Sequence, residues 1–151
     1  MGTSKNKDNR IKGWFTAKEA AHLSDLTFDM VNYLCRNDLI SPAKGTKRGR
    51  GTLRRYFFRD ILLLRVISKL LLNGVSPLRL KNNLLDLKSR GLETKGLLTT
   101  KYVVTDGFNI YFKDDGVIEL LSSGQMAFAF VLELSKLREE VTANINELKI
   151  A

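Results

Sequence analysis

The stretch Phe15–Ile40, FTAKEAAHLSDLTFDMVNYLCRNDLI, contains the start signals of two short helices. Thr16 followed three residues later by Glu19 is the capping-box pattern that begins a helix. Thr27 is a favourable N-cap for a second helix. Only three residues separate the two helices, and one of them, Asp25, can adopt the left-handed backbone conformation that glycine usually fills. Two short helices joined in this way predict a helix-turn-helix.

The second helix, predicted over Phe28–Asn37, has an apolar and a polar face. Val31, Leu34 and Cys35 recur at helical spacing and are expected to point inward. Cys35 is the only cysteine of the chain, so an intrachain disulfide is excluded and a packing role is expected. The residues expected to point outward are Asp29, Asn32, Tyr33 and Arg36.

A basic strip, KGTKRGRGTLRRY at Lys44–Tyr56, follows the second helix. Six of its thirteen residues are Lys or Arg, three are Gly, and none is acidic. The glycines favour a tight hairpin with TLRRYFF as the returning strand, which predicts a wing. Residues 1–91 carry 19 basic and 7 acidic side chains, whereas residues 92–151 carry 6 basic and 9 acidic ones. This asymmetry predicts a polyanionic partner for the first part of the chain.

Two further helices are predicted after the basic strip. The first is apolar, covers Asp60–Leu72, and ends at an Asn-Gly pair that is typical of a helix C-terminus. The second begins with Ser76 as its cap, has proline in its first position, and ends at Gly91. Residues 1–12 are polar and charged and are expected to form a disordered tail. The predicted DNA-binding domain therefore covers residues 13–91.

The order of helix-turn-helix, wing, helix and helix resembles the MerR-type winged helix-turn-helix of bacterial transcription regulators. The resemblance is carried by FTAKEAAHLSDLT, NYLCRNDLISP and LRRYFFRDILLLRVISKLLLNGVSPLRLKNNL, and it covers about residues 13–90. It implies a winged domain that docks on DNA and dimerisation through helices that follow this domain. The chain departs from the family where Asn32 replaces an Arg that typically contacts DNA, and where extra Gly and Arg precede GTLR in the wing. The docking mode is therefore implied by the resemblance, whereas the base preferences are not.

The chemistry of the same residues favours double-stranded DNA. A helix of this diameter fits the major groove, where Asn32 can bond bidentately to adenine and Asp29 can accept from a cytosine amino group. Arg36 can read guanine or hold a phosphate. Helix N-termini and basic side chains suit phosphates. Tyr56 has an alternative role as a core residue that closes the wing onto the third helix. The residues predicted to contact DNA are Thr16, Lys18, Thr27, Asp29, Asn32, Tyr33, Arg36, Lys44, Lys47, Arg48, Arg50, Arg54, Arg55 and Tyr56.

Residues 92–121 have a different pattern. Asp106-Gly107 and Asp115-Gly116 are turn signals, and apolar residues alternate around them, ending with Ile118 and Leu120. The pattern predicts a small antiparallel β meander. The meander could hold an effector, dock a partner protein or buttress a dimer, and buttressing is favoured.

Residues 122–151 are predicted to form one long helix that begins near Ser122 or Ser123. Apolar residues spaced alternately by four and three predict a coiled-coil seam, in which Asn144 is the polar residue that sets the register. A homodimer is the favoured consequence, and the alternative is a helix that folds against the meander within one chain. The predicted dimerisation residues are Phe130, Leu134, Leu137, Val141, Asn144 and Leu148.

Sequence motifs of enzymes and of thiolate metal sites are missing from the sequence. There is no P-loop, dinucleotide fingerprint or nucleophile elbow, so an enzyme is not expected. Residues 92–151 contain neither Cys nor His, so thiolate metal sensing is not expected, and no cofactor or metal is predicted. No apolar run is long enough to span a membrane, and a cytoplasmic location at the nucleoid is expected.

The predicted fold class is mainly α with small β: a winged helix-turn-helix, an antiparallel meander and a long C-terminal coiled-coil helix. The predicted function is that of a homodimeric, sequence-specific transcriptional regulator. The alternatives are an architectural or excision-type DNA-binding factor of a phage or mobile element, and an antitoxin-like protein-interaction module whose partner could bind the C-terminal part.

Overall fold

The computed structural model describes residues 13–48, 51–92, 96, 98–122 and 130–150. The described part is mainly helical with a small amount of β structure, as predicted. The chain divides into two compact units, the first made of Met1–Arg65 with Glu140–Ala151 and the second made of Val66–Glu139. Neither boundary coincides with residue 91, where the sequence placed the end of the DNA-binding domain. The tail predicted over residues 1–12 lies outside the described residues.

The first unit begins with two capped helices, α1 (Ala17–Ser24) and α2 (Phe28–Arg36). The Thr16 side chain accepts from the Glu19 N–H at 3.2 Å, and the Glu19 carboxylate accepts from the Thr16 N–H at 2.9 Å. The predicted capping box is therefore present. Asp25 closes α1 in the left-handed conformation with φ of 60°, as predicted, so that α2 starts after a turn of three residues.

Thr27 begins α2, because its hydroxyl accepts from the Met30 N–H at 3.0 Å. Such a cap contributes about 1 kcal/mol to the stability of a helix, since it satisfies a backbone donor that has no partner inside the helix. Val31 and Leu34 are fully buried on the inner face, as predicted. Cys35, also predicted to point inward, is half-buried.

The basic strip contains a two-stranded antiparallel sheet, made of β1 (Ala43–Arg48) and β2 (Gly51–Arg55). Ala43 is opposite Arg55, and the register shifts between Lys44 and Lys47. Directly after β2, Tyr56 forms a bridge with Phe15, with backbone N–H to O distances of 2.7 and 2.9 Å. These two hydrogen bonds fix the end of the basic strip's returning strand to the segment that precedes α1.

Helix α3 (Phe58–Leu72) follows the sheet and begins where the Asp60 carboxylate accepts from the Phe57 N–H at 2.8 Å. The core of the first unit is formed by apolar side chains of α1, α2 and the start of α3. Burying a Val, Leu or Ile side chain stabilises the fold by about 1.5–3 kcal/mol. The fully buried residues of this core include Ala20, Leu23, Val31, Leu34, Tyr56, Ile61 and Leu64.

The second unit contains helix α4 (Pro77–Ser89) and a three-stranded antiparallel sheet. The Ser76 hydroxyl accepts from the Arg79 N–H at 3.2 Å, so the predicted cap of α4 is present. The strands are β3 (Tyr102–Thr105), β4 (Ile110–Lys113) and β5 (Phe130–Glu133), in the order β4-β3-β5. The Asn83 amide joins α4 to the β3–β4 turn, because it donates to the Phe108 carbonyl at 2.8 Å.

The third strand of the meander was predicted incorrectly. Ile118 and Leu120 belong to a short helix, α5 (Val117–Ser122), and not to a strand. The Leu120 N–H donates to the Gly116 carbonyl at 3.0 Å, which is the hydrogen bond of a helical turn. A short apolar run such as VIELL fits both the helical and the strand period, and its periodicity alone does not separate the two.

The C-terminal helix begins later than predicted. Phe130–Glu133 forms strand β5 and pairs with β3, and the helix α6 covers Leu134–Ile150. Residues 123–129, also predicted to be helical, lie outside the described residues. Pairing with β5 satisfies the backbone hydrogen-bonding groups on the second edge of β3. The aromatic and β-branched residues of Phe130–Glu133 also favour a strand. The prediction that Phe130 belongs to a helical seam is therefore wrong.

Three of the predicted seam residues of α6 are already buried in a single chain. Leu134, Leu137 and Val141 are at most 1% exposed, whereas Asn144 and Leu148 are half-exposed. A coiled-coil seam has to be exposed before a partner helix covers it. In this conformation these three side chains do not form such a seam, which favours the alternative of a helix packed within one chain.

Candidate nucleic-acid interface

Helix α2 presents a polar face opposite its buried side. Burial of Val31 and Leu34 fixes the rotation of the helix about its axis. Asp29 and Arg36 are exposed on the opposite face. Asn32 and Tyr33 lie on this side as well, and both are half-buried. The four residues predicted to point outward from this helix therefore lie together.

Arg54 joins strand β2 to this face. Its Nη2 donates a hydrogen bond to the Asn32 Oδ1, across 22 positions of the sequence. The Arg54 guanidinium also lies over the ring of Tyr56, 5.9 Å from the ring centroid. Two of the predicted DNA-contacting residues, one on α2 and one on β2, are thus in direct contact.

Arg55 lies on the other side of strand β2, as expected for the next residue of a strand. Its guanidinium lies 5.1 Å from the ring centroid of Trp14. Its Nε is buried and has no hydrogen-bond partner among the described residues. Contact with an aromatic face leaves the outer N–H groups of an arginine available for a planar anion.

Trp14 was not recognised as a candidate from the sequence. The only available signal was its position directly before Phe15, at the start of the first helical segment. Its contact with Arg55 depends on the bridge between Phe15 and Tyr56, which brings the chain before α1 next to the end of β2. No local spacing rule predicts such a contact.

Tyr56 was predicted to contact DNA, and this prediction is wrong because the side chain is fully buried. Its hydroxyl lies 3.2 Å from the Sγ of Cys35. Burial, followed by the hydrogen bond with Cys35, raises the pKa of Tyr56 well above its ordinary value. The alternative role of Tyr56, as a core residue behind the basic strip, is the one that fits its position.

The N-termini of α1 and α2 have fewer free backbone N–H groups for a phosphate than the sequence predicted. The capping box engages the N–H groups of Thr16 and Glu19, and the Thr27 hydroxyl engages the Met30 N–H. Lys18 is exposed in the first turn of α1. Lys18 therefore remains a candidate phosphate contact through its ammonium group, whereas the N–H groups in the caps are already hydrogen-bonded within the protein.

The remaining basic candidates lie on the two-stranded sheet or outside the described residues. The backbones of Lys44, Lys47 and Arg48 belong to β1, and Lys44 is directly opposite Arg54. Arg50 lies outside the described residues. The sheet therefore places several cationic positions next to the strand that contacts α2, which raises the local density of positive charge.

The described part of the chain meets neither the requirements of a metal site nor those of a membrane-spanning helix. Within it, no group of three or more His, Cys, Asp or Glu side chains is arranged to hold a metal ion. The same part of the chain contains no helix with the length and apolar composition needed to cross a membrane.

The chain is similar to mycobacterial proteins named as HTH-type transcriptional regulators. It is 27% identical over 120 residues to an uncharacterised HTH-type transcriptional regulator of Mycobacterium bovis. The same identity and length relate it to regulators of that name in the CDC 1551 and H37Rv strains of Mycobacterium tuberculosis. The matched region is 78% of this chain and 52% of each relative, so the chain spans about half the length of these relatives. No protein-family model matches the chain.

Proposed function

We propose that this chain is a sequence-specific double-stranded DNA-binding transcriptional regulator with a MerR-type winged helix-turn-helix. The observation that carries the proposal is the hydrogen bond from Arg54 to Asn32. It joins the exposed polar face of α2 to the basic two-stranded sheet, so that helix and sheet form one cationic surface. The likeness to proteins named HTH-type transcriptional regulators supports the same function.

The proposed docking follows from the shape and charge of this surface. Helix α2 lies in the major groove, with Asp29, Asn32 and Arg36 towards the base edges. The sheet of β1 and β2 is the wing and lies along the phosphate backbone. Each phosphate that a Lys or Arg neutralises releases counterions, so the affinity falls steeply as the salt concentration rises.

The experiment that tests the proposal is selection of bound duplexes from a random DNA library at near-physiological salt. Enrichment of a defined sequence is the expected result, because a fixed helix and wing present the same groups to every duplex. Salt-dependent binding without enrichment would replace the proposal with the architectural alternative, since phosphate contacts alone carry no sequence information. Failure to bind any duplex would leave the protein-interaction alternative, with a protein partner for the C-terminal part.

The homodimer is a separate part of the proposal. A two-fold symmetric protein bound to DNA selects an inverted repeat, with half-sites about one helical turn apart. Because Leu134, Leu137 and Val141 are buried within one chain, the proposed dimer interface does not use them. An inverted repeat among the selected duplexes, together with a dimeric mass in solution, is the expected result. A regulator of this kind acts in the cytoplasm, at the nucleoid.

A further inference from the structure

We propose that Asn32 and Arg54 act as one reading element that selects guanine, and not the adenine expected for an asparagine on this helix. The inference rests on the proposed DNA binding and adds the base that the surface prefers. Asn32 belongs to the exposed face of α2, and Arg54 belongs to the adjacent strand β2. Their hydrogen bond fixes which groups of the pair remain for a base.

The hydrogen bond determines the orientation of the Asn32 amide. A guanidinium has five N–H donors and no acceptor, so only the amide oxygen of Asn32 can face Arg54. The Oδ1 is therefore engaged within the protein, and the Nδ2 of Asn32 is the group left to point away from Arg54. Both partners consequently present N–H donors at the proposed base-reading surface.

A pair that presents mainly donors matches guanine better than adenine. In the major groove guanine presents two acceptors, N7 and O6, whereas adenine presents the N7 acceptor and an N6 amino donor. Bidentate recognition of adenine by asparagine needs the amide oxygen to accept from N6. Because Arg54 already donates to that oxygen, the N6 amino group of adenine would have to share it with a cationic donor, whereas the N7 and O6 of guanine can accept from both partners.

The surroundings of the pair support this donor character. Tyr56, under the Arg54 guanidinium at 5.9 Å, is fully buried and restricts the positions available to Arg54. Arg36, four residues after Asn32 on the same face, adds further donors. Asp29, three residues before Asn32, is the acidic side chain of this face and suits the amino group of a cytosine.

The first test compares the duplexes selected by the wild-type chain with those selected by Asn32→Leu, Arg54→Ala and the double variant. We expect one guanine position in the wild-type selection, and loss of the preference at that same position in all three variants. Lys88→Ala, which removes one exposed positive charge from α4, is the control and should keep the guanine. Thermal unfolding of each variant verifies that it is folded.

The second test uses the wild-type chain and modified duplexes, so it does not depend on the folding of a variant. Replacing the selected guanine by 7-deazaguanine removes the N7 acceptor and should weaken binding about tenfold. Replacing it by inosine keeps N7 and O6 and should leave the affinity unchanged. Equal affinity for the 7-deazaguanine duplex would overturn the inference.

Other outcomes separate this inference from the proposed function. An enriched adenine whose preference disappears with Asn32→Leu alone would overturn the shared reading element and leave sequence-specific binding intact. Loss of preference at two different positions in the two single variants would show that Asn32 and Arg54 read bases independently. Failure of the wild-type chain to bind any duplex would overturn the proposed function itself, and this inference with it.

Discussion

The Sγ of Cys35 lies 3.2 Å from the hydroxyl oxygen of Tyr56, which connects helix α2 to the residue that follows strand β2. Tyr56 is fully buried, and its backbone is also bridged to Phe15. A single residue, Tyr56, therefore links the segment before α1, helix α2 and the basic sheet. Substitution of Tyr56 should therefore change the stability of the first unit directly, and DNA contacts only as a consequence.

We expect Tyr56→Ala to lower the free energy of unfolding by about 3–5 kcal/mol, because it removes a large buried ring and leaves a cavity. Tyr56→Phe keeps the ring and removes only the hydroxyl, so its expected cost is about 1 kcal/mol. Urea unfolding followed by circular dichroism measures both values. A cost below about 1 kcal/mol for Tyr56→Ala, similar to that of a surface substitution, would contradict the burial of this ring.

The raised pKa of Tyr56 predicts a loss of stability in alkali. Above about pH 10 the unfolded chain releases the Tyr56 proton, whereas the folded chain retains it. The contribution of Tyr56 is therefore fully present below about pH 10 and is lost as the pH rises towards the folded-state pKa, with a slope of about 1.4 kcal/mol per pH unit.

Tyr56→Phe is the reference for this measurement, because it lacks the titrating group and retains the other tyrosines and the lysines. The difference in the free energy of unfolding between the wild type and Tyr56→Phe should be constant below about pH 10 and should shrink above it. A difference that does not change with pH would show that Tyr56 titrates equally in the folded and unfolded chains.

The N-caps of α1 and α2 should contribute similar amounts to the free energy of unfolding. Thr16→Ala removes the acceptor for the Glu19 N–H, and Thr27→Ala removes the acceptor for the Met30 N–H. Each substitution should lower the free energy of unfolding by about 1 kcal/mol. Thr16→Ser and Thr27→Ser keep the hydroxyl and are the matched controls. If the serine variants lost as much as the alanine variants, the loss would come from the methyl group and not from the cap.

The features that were predicted correctly from the sequence depend on residues close together in the chain. The capping box of Thr16, the left-handed Asp25 and the Ser76 cap each involve groups within a few positions of one another. Their energetics are local, so a sequence pattern is sufficient to predict them.

The features that were missed depend on partners distant in the sequence. Strand β5 forms because β3 has a second edge to pair with, and a helical pattern in the same residues carries no information about that edge. The contacts of Arg54 with Asn32 and of Arg55 with Trp14 require the sheet to be folded beside the helices. The composition of the strip predicted its positive charge, but it did not predict that adjacent arginines have different partners.

Burial of Leu137 in a single chain predicts a stability effect that does not depend on protein concentration. Leu137→Ala should lower the free energy of unfolding by about 2–5 kcal/mol, because it leaves a cavity inside one chain. The difference in unfolding midpoint between Leu137→Ala and the wild type should be the same at low and high protein concentration. Ala143, exposed on the same helix, offers Ala143→Ser as a control with little effect. If the cost of Leu137→Ala appeared only as weaker association between chains, Leu137 would belong to an intermolecular seam.

The contact between Arg55 and Trp14 predicts two separable effects on DNA binding. Arg55→Ala should weaken binding and reduce the slope of log affinity against log salt by about 1, because one phosphate contact is lost. Trp14→Leu should weaken binding with little change in that slope, because the charge of Arg55 remains while its position is less restricted. Arg55→Lys is the matched control that keeps the charge and loses the planar stacking. The measurement is fluorescence anisotropy with a labelled duplex across a series of salt concentrations. An unchanged slope in Arg55→Ala would show that Arg55 supports Trp14 within the fold and does not contact phosphate.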